Sequence, residues 1–264
     1  MTSRFRTVMK RLQNRYFLTA LPLLLLTVAL LWPVNSGLWR FLTVGSVFLL
    51  LAALAFLWYG LFKKRRKTAV GVAIGLAAAL LAFCVRMSSG SALTDENAIR
   101  ELRQVYLDEL RRYEGTPYVW GGENRLGIDC SGLPRKAMRN ALLKTAFSGG
   151  GGRRLKYALE NWWFDASAAA LAAGYRNYVT PLRKAGTVAE VGRNDLTPGD
   201  LAITADGVHV MVFLGGDRWI SADPGRGKVL IERAAASKNP WFEAKARFYR
   251  WTLLTRRAVP RKFI

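Results

Sequence analysis

Residues 118–133 read YVWGGENRLGIDCSGL, and they carry one of the two cysteines in the 264-residue chain. The apolar Tyr118–Trp120 stretch runs into Gly121-Gly122. A glycine-bearing turn follows, and the spacing predicts a helix that opens at or beside Cys130 and runs toward Lys144. A cysteine at a helix N-terminus meets unsatisfied N–H groups and a partial positive charge, which favour the thiolate over a thiol of free pKa about 8.5. The glycines at 121, 122, 127 and 132 let the backbone turn tightly and let a substrate approach closely. Backbone N–H groups around Cys130 are candidates to receive a tetrahedral oxyanion. The only histidine, His209, stands 79 positions later in PGDLAITADGVHVMVFLGG, at the start of a strand-like run. A lone thiol and a lone imidazole suggest a thiolate–imidazolium pair, the apparatus of covalent acyl transfer.

Outward from this stretch, the pattern is helical first and extended later. Thr94-Asp-Glu-Asn suits a helix start with Thr94 as N-cap, and Ile99, Leu102, Tyr106 and Leu110 follow at three-to-four-residue spacing with Val105 beside them. Ser148-Gly-Gly-Gly-Gly-Arg-Arg reads as a flexible loop, and Leu155–Tyr175 as helical. Beyond Leu201 the period changes: Leu201–Thr204, Val208–Leu214, Arg218–Ala222 and Lys228–Glu232 read as short strands, with Gly215-Gly-Asp turning a hairpin. Helices followed by antiparallel strands predict an α+β domain with segregated layers over residues 91–264.

The front of the chain is a different object. Residues 1–90 contain no Asp or Glu and three apolar runs, at about 16–32, 41–62 and 69–86. A membrane-crossing helix needs about 20 apolar residues, so three transmembrane helices are expected in a membrane anchor over 1–90. Arg4, Arg6, Lys10, Arg11 and Arg15 precede the first run, and Lys63–Lys67 lie between the second and third. The positive-inside rule puts both clusters in the cytoplasm and everything after Arg86 outside. A cleaved leader over 1–35 would leave the last domain on the same side, but no small-x-small site follows the first run.

The net charge of +22 invites a nucleic-acid reading, which its distribution weakens. Residues 1–90 hold 12 of the 40 Lys and Arg, leaving 28 basic against 18 acidic residues, or +10, for the rest. That excess favours an anionic surface such as lipid headgroups or a wall polymer. Cys84 lies in the third apolar run and is expected to pack structurally, so Cys130 has no disulfide partner within its domain. Zinc is a poor alternative, because one His and one available Cys cannot supply three or four soft ligands. Ser-His-Asp catalysis lacks its Gly-x-Ser-x-Gly elbow. Arg153-Arg154 and Arg256-Arg257 read as solvated faces or headgroup contacts, and Trp162–Phe164 as packing.

Taken singly, Cys130 and His209 would be ordinary buried residues; their joint setting is what points further. Tyr118, Trp120, Gly121, Gly122, then Asp129-Cys130-Ser131-Gly132-Leu133, then Pro198-Gly199-Asp200-Leu201 and His209-Val210 resemble, in order, the NlpC-type family of cell-wall cysteine endopeptidases. The likeness covers roughly residues 100–235. It implies a papain-like α+β fold, helices packed on an antiparallel sheet, that cleaves amide bonds in peptidoglycan stem peptides without metal or cofactor. By position it implies Cys130 as nucleophile and His209 as general base, then acid. Tyr118 and Ser131 would line the thiol, and Asp129 would hold a substrate amino group. Pro198–Leu201 would launch the histidine strand.

The chain departs from the family pattern twice. The third polar residue expected about twelve positions beyond the histidine is Ser221, a weak partner for an imidazolium. Asp223, two residues on and on the same strand face, is the stronger candidate, with Ser221 its rival. The Cys–His interval is also long, and residues 145–190 are expected to form a lid or groove wall. The resemblance and the charge pattern together imply a multi-pass protein of a bacterial cytoplasmic membrane with its C-terminal domain outside. Its partners would be peptidoglycan or muropeptides and the bilayer, with no nucleic acid. Two other readings stay open: an amidase or acyltransferase on a lipid-linked or other amide, and a wall-binding module without catalysis.

Overall fold

The computed structural model describes residues 19–62, 75, 78, 81–82, 95–146, 151–191 and 196–255. The chain divides into two compact units, Met1–Phe83 and Cys84–Ile264.

In the first unit, α1 covers Thr19–Leu31 and α2 covers Gly37–Phe62. Leu38, Phe41, Phe48 and Leu51 of α2 are all more than half exposed. A helix apolar on every side belongs in a core or a bilayer. Its hydroxyls are satisfied internally, Thr43 Oγ1 and Ser46 Oγ donating to the carbonyls of Trp39 and Leu42 at 2.8 and 2.7 Å. Among the described residues, Gly37–Ala55 is the one stretch of helix long and apolar enough to cross a membrane. Three were expected. The first of them, expected at about 16–32, stops at Leu31, where Pro33 disfavours helix in the residue before it. Its described part, Thr19–Leu31, spans about 20 Å at 1.5 Å per residue, and the first residues of the expected run, 16–18, lie outside the described residues. The third expected span, 69–86, and Cys84 within it lie outside the described residues, except for 75, 78, 81 and 82, which are helical.

The second unit opens with α3, Glu96–Arg111. Its N-cap is Asp95, whose Oδ2 accepts from the Ala98 N–H at 3.1 Å, whereas Thr94 lies outside the described residues. Ile99, Leu102, Tyr106 and Leu110 form its buried stripe as their spacing requires. Next come a small hairpin of β1 (Glu123–Asn124) and β2 (Gly127–Ile128), and then α4, Gly132–Thr145. Helix α5, Gly151–Trp163, begins inside the run read as a flexible loop. The cause is tertiary. Arg154, expected on a solvated face, is fully buried and donates to the carbonyls of Ala98 and Thr145 and to Glu101. Three distant residues therefore hold a glycine-rich helix start that propensity disfavours. The helical stretch expected to reach Tyr175 breaks after Trp163. It resumes as α6, Ala168–Ala172, where Ser167 Oγ accepts from the Ala170 N–H.

Six strands follow: β3 (Val179–Gly186), β4 (Leu201–Thr204), β5 (Val210–Gly215), β6 (Arg218–Asp223), β7 (Lys228–Arg233) and β8 (Ala246–Trp251). A short helix α7, Pro240–Glu243, lies between β7 and β8. The sheet order is β3-β8-β4-β5-β6-β7, and every neighbouring pair is antiparallel. The strand period sorts side chains to two cores. Val210, Val212, Leu214, Ile220 and Ala222 pack with the helices, while Met211, Phe213, Trp219, Phe242 and Phe248 form a second cluster. Both faces are thus covered, which is why β4, β5 and β6 read as nearly continuous apolar runs. Segment 115–118 pairs with β7: Gly115 N–H donates to Val229 O, Val229 N–H to Thr116 O, and Tyr118 N–H to Gly227 O. This is the α+β arrangement of helices on an antiparallel sheet that the sequence order implied.

Candidate functional site

Three backbone segments converge at the thiol: the 118–130 loop, the start of α4 and the start of β5. The loop is fixed by close backbone approach. A Cβ on Gly132 would stand 2.3 Å from the Gly122 carbonyl oxygen, and one on Gly122 would stand 2.5 Å from that of Gly127. No side chain fits at either place. Asp129 closes the same turn, its Oδ2 accepting from the Gly121 N–H at 2.8 Å and its Oδ1 from the Gly132 N–H and Ser131 Oγ. Cys130 is thereby set immediately before α4, whose N-cap is Ser131.

Cys130 is buried and free. Its Sγ donates to the Val208 carbonyl at 3.5 Å, and the Val210 N–H also acts on the sulfur. The thiol therefore meets the backbone on either side of His209. The imidazole is itself buried, and its Nε2 has no hydrogen-bond partner. One ring face lies against Trp241 of α7, with centroids 4.3 Å apart and planes 18° from parallel. No hydrogen bond joins sulfur and ring; catalytic contacts in substrate-free sites are often loose.

Electrostatics differ from the expected ion pair. Burial, and then the nearby Asp129 carboxylate, push the Cys130 thiol up to about 12, against the lowering contributed by the Val210, Ser131 and Cys130 N–H groups. Burial also lowers His209 to about 4, opposed by Asp223 and Asp206. Both groups therefore rest neutral: desolvation outweighs the helix terminus and the carboxylates.

Asp223 sits where the register puts it. β5 pairs with β6 through Val212–Ile220, and extending that ladder antiparallel brings His209 opposite Asp223. Its carboxylate makes no hydrogen bond to the imidazole. Oδ1 accepts from the Gly225 and Arg226 N–H groups at 2.7 and 3.2 Å, and Oδ2 from Asn239 Nδ2 at 2.9 Å. Asp223 acts on His209 through charge at short range. Ser221, its rival, is buried on the same strand face. Tyr118 is close enough to Cys130 and Asp129 that both charges, after burial itself, push its phenol up to about 12. Trp162 and Trp163 stack on each other edge to face at 6.0 Å, in keeping with packing.

Two neighbours escaped the sequence reading. Trp241 and Asn239 come from a segment with no motif, and only the Asn239-Pro240 helix start, where Asn239 Oδ1 caps the Trp241 N–H at 3.1 Å, marks it at all. Beneath the loop lies a buried ion cluster in which Glu123 pairs with Arg135 at 2.8 Å and Arg139 at 2.9 Å. Among the described residues no group of three or more His, Cys, Asp or Glu could hold a metal ion.

Residues 115–247 match the NlpC/P60 family, a span that takes in the whole site. Solved structures with a similar arrangement include the NlpC/p60 domain of the peptidoglycan hydrolase SagA, at 22% identity and a TM-score of 0.31, covering 56% of this chain and 96% of that one. NlpC2 from Trichomonas vaginalis is 15% identical with a TM-score of 0.38, and the match takes in 57% of this chain but only 47% of that one. The peptidoglycan hydrolase RipB from Mycobacterium tuberculosis is 21% identical with a TM-score of 0.34, over 58% of this chain and 67% of that one. No curated protein matches the chain. With the family's span covering half of its length and the thiol, imidazole and sheet in one place, the chain belongs to the NlpC/P60 family.

Proposed function

We propose that this protein is a membrane-anchored, outward-facing cysteine-type hydrolase that cleaves amide bonds in peptidoglycan stem peptides. The observation that carries the reading is that the Cys130 sulfur meets the Val208 carbonyl and the Val210 N–H, the backbone groups one residue either side of the only histidine. In the proposed cycle, Cys130 Sγ gives its proton to the neutral His209 imidazole as it attacks the amide carbonyl. The C–N bond breaks, the imidazolium proton leaves on the amine, and a thioester remains. Water then attacks that thioester, His209 takes the water's proton, and the acid and free thiol are released.

Around that pair, Asp223 steadies the imidazolium by charge, and Tyr118 and Ser131 line the thiol. Asp129 has spent three of its roughly four acceptor positions on its own loop, so it can take one N–H from a substrate amine. The membrane part of the reading rests on α2 and on the acid-free first ninety residues. The raised thiol favours a second reading, a wall-binding module that turns over slowly or not at all.

The deciding experiment uses the detergent-solubilised full chain on purified muropeptides, with fragments weighed by mass spectrometry. Cleavage is expected, and Cys130→Ala and His209→Ala should each lower it at least ~10³-fold while leaving the fold intact. Undiminished cleavage by either variant rejects the mechanism. Muropeptide binding without cleavage by the native chain selects the second reading.

A further inference from the structure

A cavity of about 670 Å³ lies away from the thiol and is lined by Glu96, Arg100 and Arg103 of α3, Arg183 of β3, Thr197, and Arg250 of β8. The sheet register separates the two places. Thr180 pairs with Arg250, and Leu201, at the start of β4, pairs with Tyr249. His209 lies beyond the other end of β4, whose Thr204 pairs with Ala246. The cavity and the thiol thus sit at opposite ends of the central strands.

Three features of the cavity go beyond an ordinary basic surface. Arg103 Nε is buried without a partner, and Arg250 stands near enough for its charge to disfavour the Arg103 cation. Arg103 Nη2 donates to the Leu254 carbonyl at 3.1 Å, but no carboxylate bonds this guanidinium among the described residues. Asp200 is already used by Arg250, accepting from its Nε and Nη2 at 2.6 and 2.7 Å, which leaves Glu96 as the one carboxylate in the lining against Arg100, Arg103 and Arg183. Finally, Arg183 has φ of 56° at a bulge where the β3–β8 register shifts between Pro181 and Ala185. A long-chain residue in the left-handed region is strained, and bulges of this kind re-aim a side chain.

We propose that this cavity is a binding site for a phosphate-bearing ligand, held by Arg100, Arg103 and Arg183. A single carboxylate would answer one guanidinium. A phosphate offers several oxygens to their planar forks, and the volume leaves room for the group that carries it. The carrier is either a water-soluble phosphodiester or a lipid headgroup. Binding here does not require the thiol chemistry.

The test is calorimetric titration of the full chain in zwitterionic micelles with inorganic phosphate, glycerol 3-phosphate and a short-chain phosphatidylglycerol. Saturable binding is expected, weakened about tenfold or more by Arg100→Gln/Arg183→Gln. Both of those side chains are exposed, so this variant should fold. Arg103→Gln should act in the same direction. A control with equal charge removed elsewhere, Arg153→Gln/Arg218→Gln, should change affinity less than about twofold, and Cys130→Ala should not change it. Tighter binding of the lipid than of glycerol 3-phosphate identifies the headgroup, and the reverse identifies the soluble ester. No saturable binding of any probe, or equal loss in the control, overturns the proposal.

Discussion

His209 is the sole imidazole in the chain, so one proton resonance reports its titration without assignment. Burial lowers it to about 4 from the usual 6.5, and the sign of the consequences follows. The base is neutral and competent above about pH 4, so the acid limb of kcat/KM should fall near 4; a limb near 6.5 would contradict a buried neutral base. Between about 4 and 6.5 the unfolded chain takes up a proton that the folded one refuses. Stability should therefore decrease as pH drops through that window, and His209→Gln should flatten the slope. Trp241 covers one face of the ring. Trp241→Ala should move the His209 resonance midpoint upward toward 6.5 and lower kcat roughly tenfold, while Trp241→Phe, which keeps a ring there, should do neither. Gly132→Ala asks for a Cβ 2.3 Å from a backbone oxygen. It should destabilise the domain by about 3 kcal/mol, read by chemical denaturation.

Elements differed in how plainly the chain announced them. β4 and the stripe of α3 were legible because each is a regular period facing one core. So was the β5–β6 hairpin, whose Gly215 and Gly216 take φ of 101° and 66°, the values its turn requires. β3 and β8 were not legible, since VTPLRKAG and ARFYRW interleave proline or arginine with their apolar residues. β3 is an edge strand, which tolerates such a sequence, and Arg250 in β8 is accommodated by Asp200 and Thr197, some fifty residues earlier. The start of α5 was unreadable for a similar reason, because Arg154 finds its partners on α3 and α4. The cysteine and histidine could be found from sequence, but the neutrality of the pair could not: desolvation is a property of packing. Arg154→Ala should cost about 2–3 kcal/mol in denaturation midpoint and melt α5 before the sheet, visible as early loss of amide protection over 151–163.

At the scale of the molecule, an acid-free apolar third of the chain precedes a domain that carries every acidic residue. If the second unit faces outward, protease added to intact spheroplasts should degrade it, and protease confined to the cytoplasmic side of inside-out vesicles should spare it. The opposite pattern would reverse the proposed orientation. The borders of the sheet have a consequence for a protein anchored as proposed. On one side the 115–118 segment occupies the N–H and carbonyl groups of β7; on the other, Pro181 and the left-handed Arg183 interrupt β3. Neither flank offers the long flat row of unsatisfied amides that templates cross-β growth. Copies crowded in two dimensions at high local concentration should accordingly stay individually dispersed instead of fusing into continuous ribbons.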